Sequence, residues 1–575
     1  MGAGAADLAY RFQWTFPIVI SPHDPNTVYA AGNVLFKSTN EGQTWEPISP
    51  DLTRNDKSKQ ASSGGDITKD NTSVEYYCTI FAFIESQRQK GVMWAGSDDG
   101  LIHVSTDAGK NWQNVTPKSM PEWGLISIID ASAHDAGTAY VAMTRYKHDD
   151  LKPYIYKTSD YGKTWAQITK GIPDDAFVRT VREDPKRKGL LYAGTETGIY
   201  VSFDDGGNWQ SLQRNLPVVP ITDIAVKEND LVVSTQGRSF WILDDLTPLH
   251  QLSDKVAVST MHLFKPRAAY RFGGGSSPAS TAGQNPPNGV VVQYYLKSKP
   301  EGDIRLEILD AQGDTIKTFS SKEKKKEDGT PASGAEESGG RGGTGDKLTK
   351  DAGMNRFVWD MRYADAVNTP GAVLWGGNLR GPVAVPGNYG VRLIVGTQTL
   401  TESFDIKADP RLNLAVADYQ KQFDFLINVR DKISAAHEGV NFIREVRKQV
   451  DDLSKRVADA GTDGKAVTAA AKDLNEKMKA VEEEIIQVKA KSSQDPLNFP
   501  IKLNNKIAVL ADVASSMDAA PTDASLTVFN QLAAKLDAQL AKLKEIREKD
   551  VPAFNQFVRE QAVPAIMVGK KSASK

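Results

Sequence analysis

A glutamate and two tyrosines are adjacent in the stretch NTSVEYYC, residues 71–78. Glycoside cleavage usually needs two carboxylates across the scissile bond, although some enzymes use a tyrosine nucleophile that a glutamate assists. Residues two apart on a strand share a face, so Glu75 and Tyr77 could act together, whereas Glu75 and Tyr76 could not. Glu75 and Tyr77 are therefore the candidate catalytic residues.

Four arginines near the ends of predicted strands could hold a negatively charged ligand. A guanidinium binds a carboxylate through two parallel hydrogen bonds, and a cluster of three would clamp an acidic sugar. The four are Arg145, Arg179, Arg182 and Arg238. Of these, Arg145, Arg179 and Arg238 are retained as candidate ligand-binding residues.

The seven histidines and the single cysteine show no metal-binding pattern, because HExxH, CxxC and EF-hand spacings do not occur. His23-Asp24 and His134-Asp135 each precede a strand tyrosine by the same distance, which favours a role in equivalent turns. His148 lies in a polar loop. Cys78 has apolar neighbours, which indicate an inert buried thiol. We predict no bound metal and no cofactor.

One octet pattern occurs four times and must help to position these side chains. In order, its eight positions are Ser/Thr, any residue, Asp/Asn, any residue, Gly, any residue, Thr/Asn and Trp. In the third copy Ser and Thr exchange places at the first two positions. The copies, called the octet turns below, are STNEGQTW (38–45), STDAGKNW (105–112), TSDYGKTW (158–165) and SFDDGGNW (202–209). The Asp or Asn can accept backbone N–H groups, and the Gly supplies a crowded backbone angle. Because β-rich runs flank each copy, we predict a hairpin turn between two antiparallel strands.

The spacing of the octet turns indicates a repeated sheet. Their tryptophans, at positions 45, 112, 165 and 209, are 67, 53 and 44 residues apart. A period of about 40 to 50 residues with several short strands is typical of β-propeller blades. The long first interval contains an insertion at about residues 51–77. A fifth unit, ITDIAVKENDLVVSTQGRSFWILDD, has the strands but lacks the octet.

The octet resembles the Asp-box, or BNR repeat, of sialidase-like and sortilin-type β-propellers. The segments YRFQWTFPIVISPHDPNTVY, DNTSVEYYCTIF, GVMWAGSDDGLIHVSTDAGKNWQNVTP and LLYAGTETGIYVSFDDGGNW are similar to a large bacterial family. Its members are usually labelled glycosyl hydrolase, sortilin N-terminal domain-containing or BNR-like repeat proteins. The similarity covers most of the chain. One departure is Gln236, where the family is expected to have a histidine, so any function of that histidine is in doubt here.

The resemblance implies a structural role for the octet turns, because in such propellers the box lies at the blade periphery, away from the central ligand-binding funnel. Asp98, Asp99 and Glu196, which share an equivalent turn between blade strands, are likewise expected to be structural. The resemblance also implies a periplasmic or secreted location. The expected structural residues are Gly42, Trp45, Asp107, Gly109, Trp112, Asp160, Gly162, Trp165, Asp204, Gly206 and Trp209.

The composition excludes several classes of function. The chain has 575 residues and a formal net charge of −2, which implies no attraction to nucleic acids or membrane surfaces. No apolar run approaches the roughly 20 residues that span a bilayer, and no signal peptide is visible at the start. Four or five blades do not close a ring, so we expect missing N-terminal blades or a partner chain.

The remaining sequence predicts two further domains. Residues 1–250 are the partial propeller and 251–288 a linker, followed by an immunoglobulin-like β-sandwich over 289–409. Residues 321–350 form a predicted disordered insertion, because the stretch 322–347 within it lacks large apolar side chains. Residues 410–575 show apolar stripes at helical spacing, which predict an antiparallel helical bundle with a hairpin turning near Gly461 and Gly464. The stripes could instead form a coiled coil with a partner, but an intramolecular bundle is preferred.

Two functions remain open, besides a pure assembly or scaffold role. The first is a non-catalytic propeller that binds a protein, peptide or glycan outside the cytoplasm. The second is a glycoside hydrolase whose catalytic set lies partly in the missing blades. The repeated structural turns favour the first, and the Asp-box resemblance with Glu75 favours the second.

Overall fold

The computed structural model describes residues 4–62, 64–272, 283, 285–322, 348–459 and 464–563. The chain divides into two compact units, Met1–Leu252 and Ser253–Lys575. Most of the predicted insertion, residues 323–347, lies outside the described residues, as does Gly461. Within the described part, no helix is long and apolar enough to cross a membrane.

The first unit contains five antiparallel sheets, each made of strands that are consecutive along the chain. Four sheets have four strands and the fifth has three. The first sheet contains β1 Ile18–Ser21, β2 Asp24–Ala31, β3 Leu35–Ser38 and β4 Glu46–Pro47, and the second contains β5 Ile80–Glu85, β6 Met93–Ser97, β7 Ile102–Ser105 and β8 Gln113–Asn114. The third contains β9 Leu125–Ala131, β10 Ala139–Arg145, β11 Asp150–Thr158 and β12 Ala166–Gln167. The fourth contains β13 Val178–Glu183, β14 Leu191–Thr195, β15 Ile199–Ser202 and β16 Gln210–Ser211, and the fifth contains β17 Ile221–Lys227, β18 Asp230–Thr235 and β19 Phe240–Leu243.

Consecutive sheets pack face to face. Strand β5 contacts β9, β9 contacts β13, and β13 contacts β17, so the first strands of successive sheets are neighbours. Each pair of sheets buries its own apolar cluster; Trp94, Ile126 and Val141, for example, fill the space between the second and third sheets. Strands β6 and β14 are buried along their whole length, because each lies in a sheet that is covered on both faces.

Each octet turn joins the third and fourth strands of its sheet, as the sequence predicts. Phe36 pairs with Pro47, and Tyr200 pairs with Ser211, in the same register in both sheets. The hydroxyl of the first residue accepts the backbone N–H of the glycine at 2.9 Å in all four copies. The glycines adopt φ values from +81° to +88°, which a side chain would strain.

The octet tryptophans connect neighbouring sheets. The indole N–H of Trp112 donates to the Ile48 carbonyl at 3.1 Å, that of Trp165 to Val115 at 2.7 Å, and that of Trp209 to Ile168 at 2.7 Å. In each case the acceptor follows the octet tryptophan of the preceding sheet by three residues. Trp45 belongs to the first sheet, which has no preceding sheet in the described chain, and its side chain is 42% exposed.

We expect Trp165→Phe to lower the free energy of unfolding of the first unit by about 1 to 2 kcal/mol, because the part-buried Val115 carbonyl loses its donor. Trp45→Phe is the matched control and should change it by less than about 0.5 kcal/mol. Urea titration of the full chain, followed by circular dichroism, measures both. Equal effects at the two positions would contradict the role given to the inter-sheet hydrogen bond.

The second unit begins with two sheets that share one apolar core, which includes Val292, Leu306, Trp359 and Phe404. One sheet has the strand order β20-β22-β25 and the other β21-β27-β26-β23-β24; all pairs are antiparallel except β21 with β27. The strands are β20 Met261–Leu263, β21 Ala269–Arg271, β22 Val290–Leu296, β23 Ile304–Leu309, β24 Thr315–Ser320, β25 Gly353–Trp359, β26 Gly387–Val395 and β27 Gln398–Ala408.

The predicted linker needs correction. Residues 251–288 contain a short helix and the strands β20 and β21, which pair with β22 and β27. Three-residue strands carry too little alternation to be read from sequence, and they form only because distant strands supply their hydrogen-bond partners. The described part of this segment therefore belongs largely to the sheets of the second unit.

Helices complete the second unit. The short helix α1 Thr247–Gln251 lies at the end of the first unit. The second unit contains the short helix α2 Asp254–Val258 and the long helices α3 Val416–Asp459, α4 Lys465–Ile485, α5 Leu503–Ser515, α6 Asp523–Glu545 and α7 Val551–Glu560. The apolar stripes of α3 and α4, including Ile443, Val450, Leu474 and Met478, are buried in one shared core. They therefore pack within the chain. Helices α6 and α7 are joined by a π-helical turn at Ile546–Asp550.

Candidate functional site

Most of the candidate residues lie at one end of the sheets in the first unit. In an antiparallel sheet, the start of the first strand and the turn between the second and third strands lie at the same end. Tyr77 precedes β5, Asp98 follows β6 and Tyr146 follows β10, so all three lie at this end. The octet turns, between third and fourth strands, lie at the opposite end. The structural residues predicted in those turns are thus separated from the site.

A cleft opens at this end between the second and third sheets, and its volume is about 530 Å³ when the space open to solvent is included. We call it the aromatic cleft. Its lining combines rings, cations and one carboxyl group, and includes Gln13, Tyr77, Asp98, Trp123, Arg145, Tyr146, Lys147 and His148.

Trp123 is the centre of the aromatic surface. Its ring faces the guanidinium of Arg54 at 4.6 Å and the ammonium of Lys59 at 4.9 Å, and it stacks with Tyr77 at 6.5 Å between centroids. Arg54 is held in place because its backbone N–H donates to Asp99 Oδ2 and its Nε donates to the Asp99 carbonyl, both at 2.8 Å. The insertion at residues 51–77 thus supplies two cations to the ring of Trp123.

Asp98 is a buried carboxyl group at the base of the cleft, with 5% of its surface exposed. Its oxygens accept the backbone N–H and the hydroxyl of Thr79, both at 2.8 Å. Burial outweighs these hydrogen bonds and raises the pKa of Asp98 to about 7, with a smaller contribution from the charge of Asp99. Asp98 lies in the turn after β6, as the sequence predicts, and its carboxyl group also lines the cleft.

Glu75 and Tyr77 occupy different surroundings. Glu75 accepts the indole N–H of Trp14 at 2.9 Å and the hydroxyl of Thr72, whereas Tyr77 stacks on Trp123. Burial raises the pKa of the Tyr77 phenol far above its usual value. A tyrosine nucleophile needs the opposite shift, since the phenolate is the reactive form.

The candidate arginines are divided among three sheets. Arg145, in the third sheet, pairs with Asp150 at 2.8 Å. Arg179, in the fourth, pairs with Glu196 at 2.7 Å and lies over the rings of Tyr146 and Phe177. Arg238, in the fifth, is exposed and donates to the Gly237 carbonyl. Of the three, Arg145 lines the aromatic cleft.

Arg182 and the turn histidines make structural contacts. Arg182 bridges Asp130 of the third sheet and Asp223 of the fifth. His23 and His134 each hydrogen-bond through Nε2, at 2.8 Å, to a backbone carbonyl that follows the first strand of the next sheet. Among the described residues, no group of three or more His, Cys, Asp or Glu is arranged to hold a metal. Cys78 is buried, and burial raises its pKa to about 12.

Sequence reasoning missed Trp123 and Arg54. A signal was present, because an aromatic residue precedes the first strand in three consecutive sheets, as Tyr77, Trp123 and Phe177. These three aromatic positions lie outside the octet turns.

Comparison with known proteins gives partial similarities. The chain is 25% identical over 113 residues to the oligoxyloglucan-reducing end-specific xyloglucanase of Emericella nidulans, which covers 20% of this chain and 14% of that protein. It is 30% identical over 120 residues to vacuolar protein sorting/targeting protein 10 of Laccaria bicolor, which covers 20% of this chain and 7% of that protein. No family model matches.

Among solved structures, a GH74 xyloglucanase from Xanthomonas campestris aligns with a TM-score of 0.31 and 15% identity, over 48% of this chain and 42% of the enzyme. The matched regions are thus a minor part of each relative. The sequence relatives include a glycoside hydrolase and a sorting protein, and with the five repeated sheets they support a relationship to β-propeller proteins.

Proposed function

We propose that this protein is a non-catalytic binding protein that acts outside the cytoplasm. Its first unit is a partial propeller of Asp-box repeats, and its ligand, a protein, peptide or glycan, occupies the aromatic cleft. The two sheets that follow form an immunoglobulin-like sandwich, and the helices after them form an antiparallel bundle.

The composition of the aromatic cleft carries this proposal. Trp123, Tyr77 and Tyr146 contribute rings to the lining, and Arg145 and Lys147 contribute donors beside them. Rings next to positioned polar groups are typical of ligand-binding clefts. Among the described lining residues, Asp98 is the sole carboxyl group, whereas glycoside hydrolysis usually needs two. The arrangement thus favours binding over cleavage.

The exposed faces of the outermost sheets favour additional β-sheets beside them. Ile18 and Ile20 of the first sheet are 65% and 62% exposed, and Phe240 and Ile242 of the fifth are 74% and 58% exposed. In the sheets between them, the equivalent surfaces are covered by a neighbour. We therefore propose that further blades, or a partner chain, cover these two faces.

A glycoside hydrolase is the second candidate, favoured by the similarity to a xyloglucanase. In that case the catalytic carboxylates would come partly from the proposed further blades. Glu75 is the candidate within this chain.

Peptide and glycan arrays probed with the full chain test the proposal. For a ligand identified there, Trp123→Ala should weaken binding about 10-fold or more, because the ring is the central contact surface. Trp45→Ala is the matched control, since this tryptophan lies at the opposite end of the sheets, and it should leave binding unchanged.

Two results would contradict binding at the cleft. The first is equal binding by wild type and Trp123→Ala. The second is steady release of sugars from xyloglucan or aryl glycosides that Glu75→Gln abolishes, which would favour the hydrolase instead.

A further inference from the structure

Trp14 is an exposed tryptophan beside the aromatic cleft. It is 69% exposed, and the residue before it, Gln13, lines the cleft. Single exposed apolar residues are common on protein surfaces and by themselves indicate no function. Trp14 differs from them because both its backbone and its ring are held in place.

The backbone at Trp14 forms a closed turn. The N–H of Phe16 donates to the Gln13 carbonyl at 3.3 Å, so Trp14 occupies a corner of this turn. Phe12 and Phe16 contact each other edge to face, at 5.3 Å between centroids, and Phe12 also stacks with Phe36 of the first sheet at 6.0 Å. The turn is therefore anchored on a cluster of rings.

Glu75 holds the indole ring of Trp14. Its Oε1 accepts the indole N–H at 2.9 Å, and its Oε2 accepts the hydroxyl of Thr72. Gln13 forms a β-bridge with Glu75 and donates its side-chain amide to the Tyr76 carbonyl at 2.6 Å, which ties the two segments together. Because Glu75 uses the one polar atom of the indole, only the carbon atoms of the ring are left for a ligand.

Hydrogen-bond acceptors lie next to this ring. Each carboxylate oxygen of Glu75 can accept a second hydrogen bond, and within the described chain the side-chain oxygen of Gln13 accepts none. Glu75 makes no ion pair with any described residue, so its negative charge is not neutralised. A ligand that fits beside Trp14 must therefore donate hydrogen bonds and carry no negative charge.

The openness of the ring narrows the class of ligand further. The side chain of a protein partner binds tightly where a pocket surrounds it and excludes water, and a residue that is 69% exposed offers no such walls. A pyranose ring has different needs, because its C–H groups form a flat apolar face and its hydroxyls lie around the edge. That face can cover the carbon surface of Trp14 while the hydroxyls donate to Glu75 and Gln13.

We propose that Trp14 is a stacking platform for a neutral glycan beside the aromatic cleft, and that Glu75 is the positioning residue that orients its ring. This inference rests on the proposed function, because it names the ligand class of the same site. It gives Glu75 a role in binding in place of the catalytic role considered from the sequence.

Calorimetry with the full chain tests the class of ligand. The neutral probes are cellohexaose, xylohexaose, mannohexaose and maltohexaose, and the acidic probe is the hexamer of galacturonic acid. At least one neutral hexasaccharide should bind saturably and about 10-fold or more tightly than the acidic hexamer, because the charge of Glu75 repels a carboxylate. A decamer of proline, whose rings are also flat, is the peptide probe and should bind more weakly than that hexasaccharide.

Variants test the two residues. Trp14→Ala should weaken binding of the hexasaccharide about 10-fold or more, whereas Trp45→Ala, at the opposite end of the sheets, should leave it unchanged. Glu75→Ala should also weaken it, because the indole loses its acceptor and can rotate. Glu75→Gln keeps an oxygen for the indole N–H, so it should bind the hexasaccharide nearly as wild type does. It should bind the acidic hexamer more tightly than wild type does, which a purely structural role of Glu75 would not produce.

Three results would overturn the inference: binding of none of the four neutral hexasaccharides, equal binding by wild type and Trp14→Ala, and tighter binding of the proline decamer. A ligand from the arrays that depends on Trp123 but not on Trp14 would leave the proposed function standing and remove this inference alone. A hexasaccharide that depends on Trp14 but not on Trp123 would support the platform and contradict the cleft.

Discussion

Replacement of Arg271 by methionine is expected to lower the free energy of unfolding of the second unit by about 3 to 5 kcal/mol, the cost of removing one partner of a buried ion pair. Arg271 ends β21 and is 6% exposed. Its guanidinium donates to Asp518 and Gln422, each at 2.6 Å, and to the Ala384 carbonyl at 3.1 Å. It also lies 4.9 Å from the ring centroid of Tyr419.

The expected loss is large because the partners cannot regain water. The side chain of Asp518 is 13% exposed, and Gln422 is buried at 1%. Without the arginine, a carboxylate and an amide oxygen stay buried and unpaired where the sheets meet α3 and the segment after α5. An uncompensated buried charge costs more than the pair contributed.

Lys299→Met is the matched control for Arg271→Met. Lys299 forms an ion pair with Asp351 at 3.4 Å, and both side chains are exposed, at 65% and 72%. Water replaces the lost contact there, so the expected change is below about 1 kcal/mol. Urea unfolding of both variants, followed by tryptophan fluorescence, gives the comparison. A loss below 1 kcal/mol in Arg271→Met would show that the buried network does not hold the sheets and helices together.

The second large effect concerns the pH dependence of stability through Asp98. Its pKa is about 7 in the folded protein, against an ordinary value of 3.8. Between these values the folded state binds more protons than the unfolded state, so stability falls as pH rises. From pH 5 to pH 8 the contribution of this one group falls by about 2 to 3 kcal/mol.

Asp98→Asn isolates this contribution from other titrating groups. The asparagine keeps an oxygen that can accept from Thr79 but has no charge to bury. Urea unfolding at pH 5 and pH 8 should show that wild type loses about 2 to 3 kcal/mol more than the variant across this interval. Equal pH dependence in the two proteins would mean that Asp98 is solvated, and that the base of the aromatic cleft is not buried.

The octet turns show how far local sequence reasoning extends. All the groups that define such a turn, namely the hydroxyl, the Asp or Asn oxygen and the glycine, lie within eight residues. Their hydrogen bonds need no distant partner, and the turns form as predicted in all four copies. The apolar stripes of α3 and α4 were readable for the same reason, since helical spacing is local.

The aromatic cleft required information that local patterns do not contain. Trp123, Arg54 and Asp98 belong to different turns and insertions, and only the packing of the second sheet against the third brings them together. Arg145 and Arg179 were correctly placed near strand ends, but the carboxylates that pair with them became evident only from the folded chain. The raised pKa of Asp98 is likewise a product of burial by distant residues.

The sequence by itself determined the repeated hairpins, the order of sheets followed by helices, and the heptad-like faces of the bundle. Tertiary structure alone decided which rings and charges share a cleft, and that β20 and β21 are strands. The physical reason is the separation along the sequence of the residues that interact. Turn and helix signals arise from hydrogen bonds between residues a few positions apart. Binding sites and buried ion pairs join residues up to hundreds of positions apart, as Arg271 and Asp518 show.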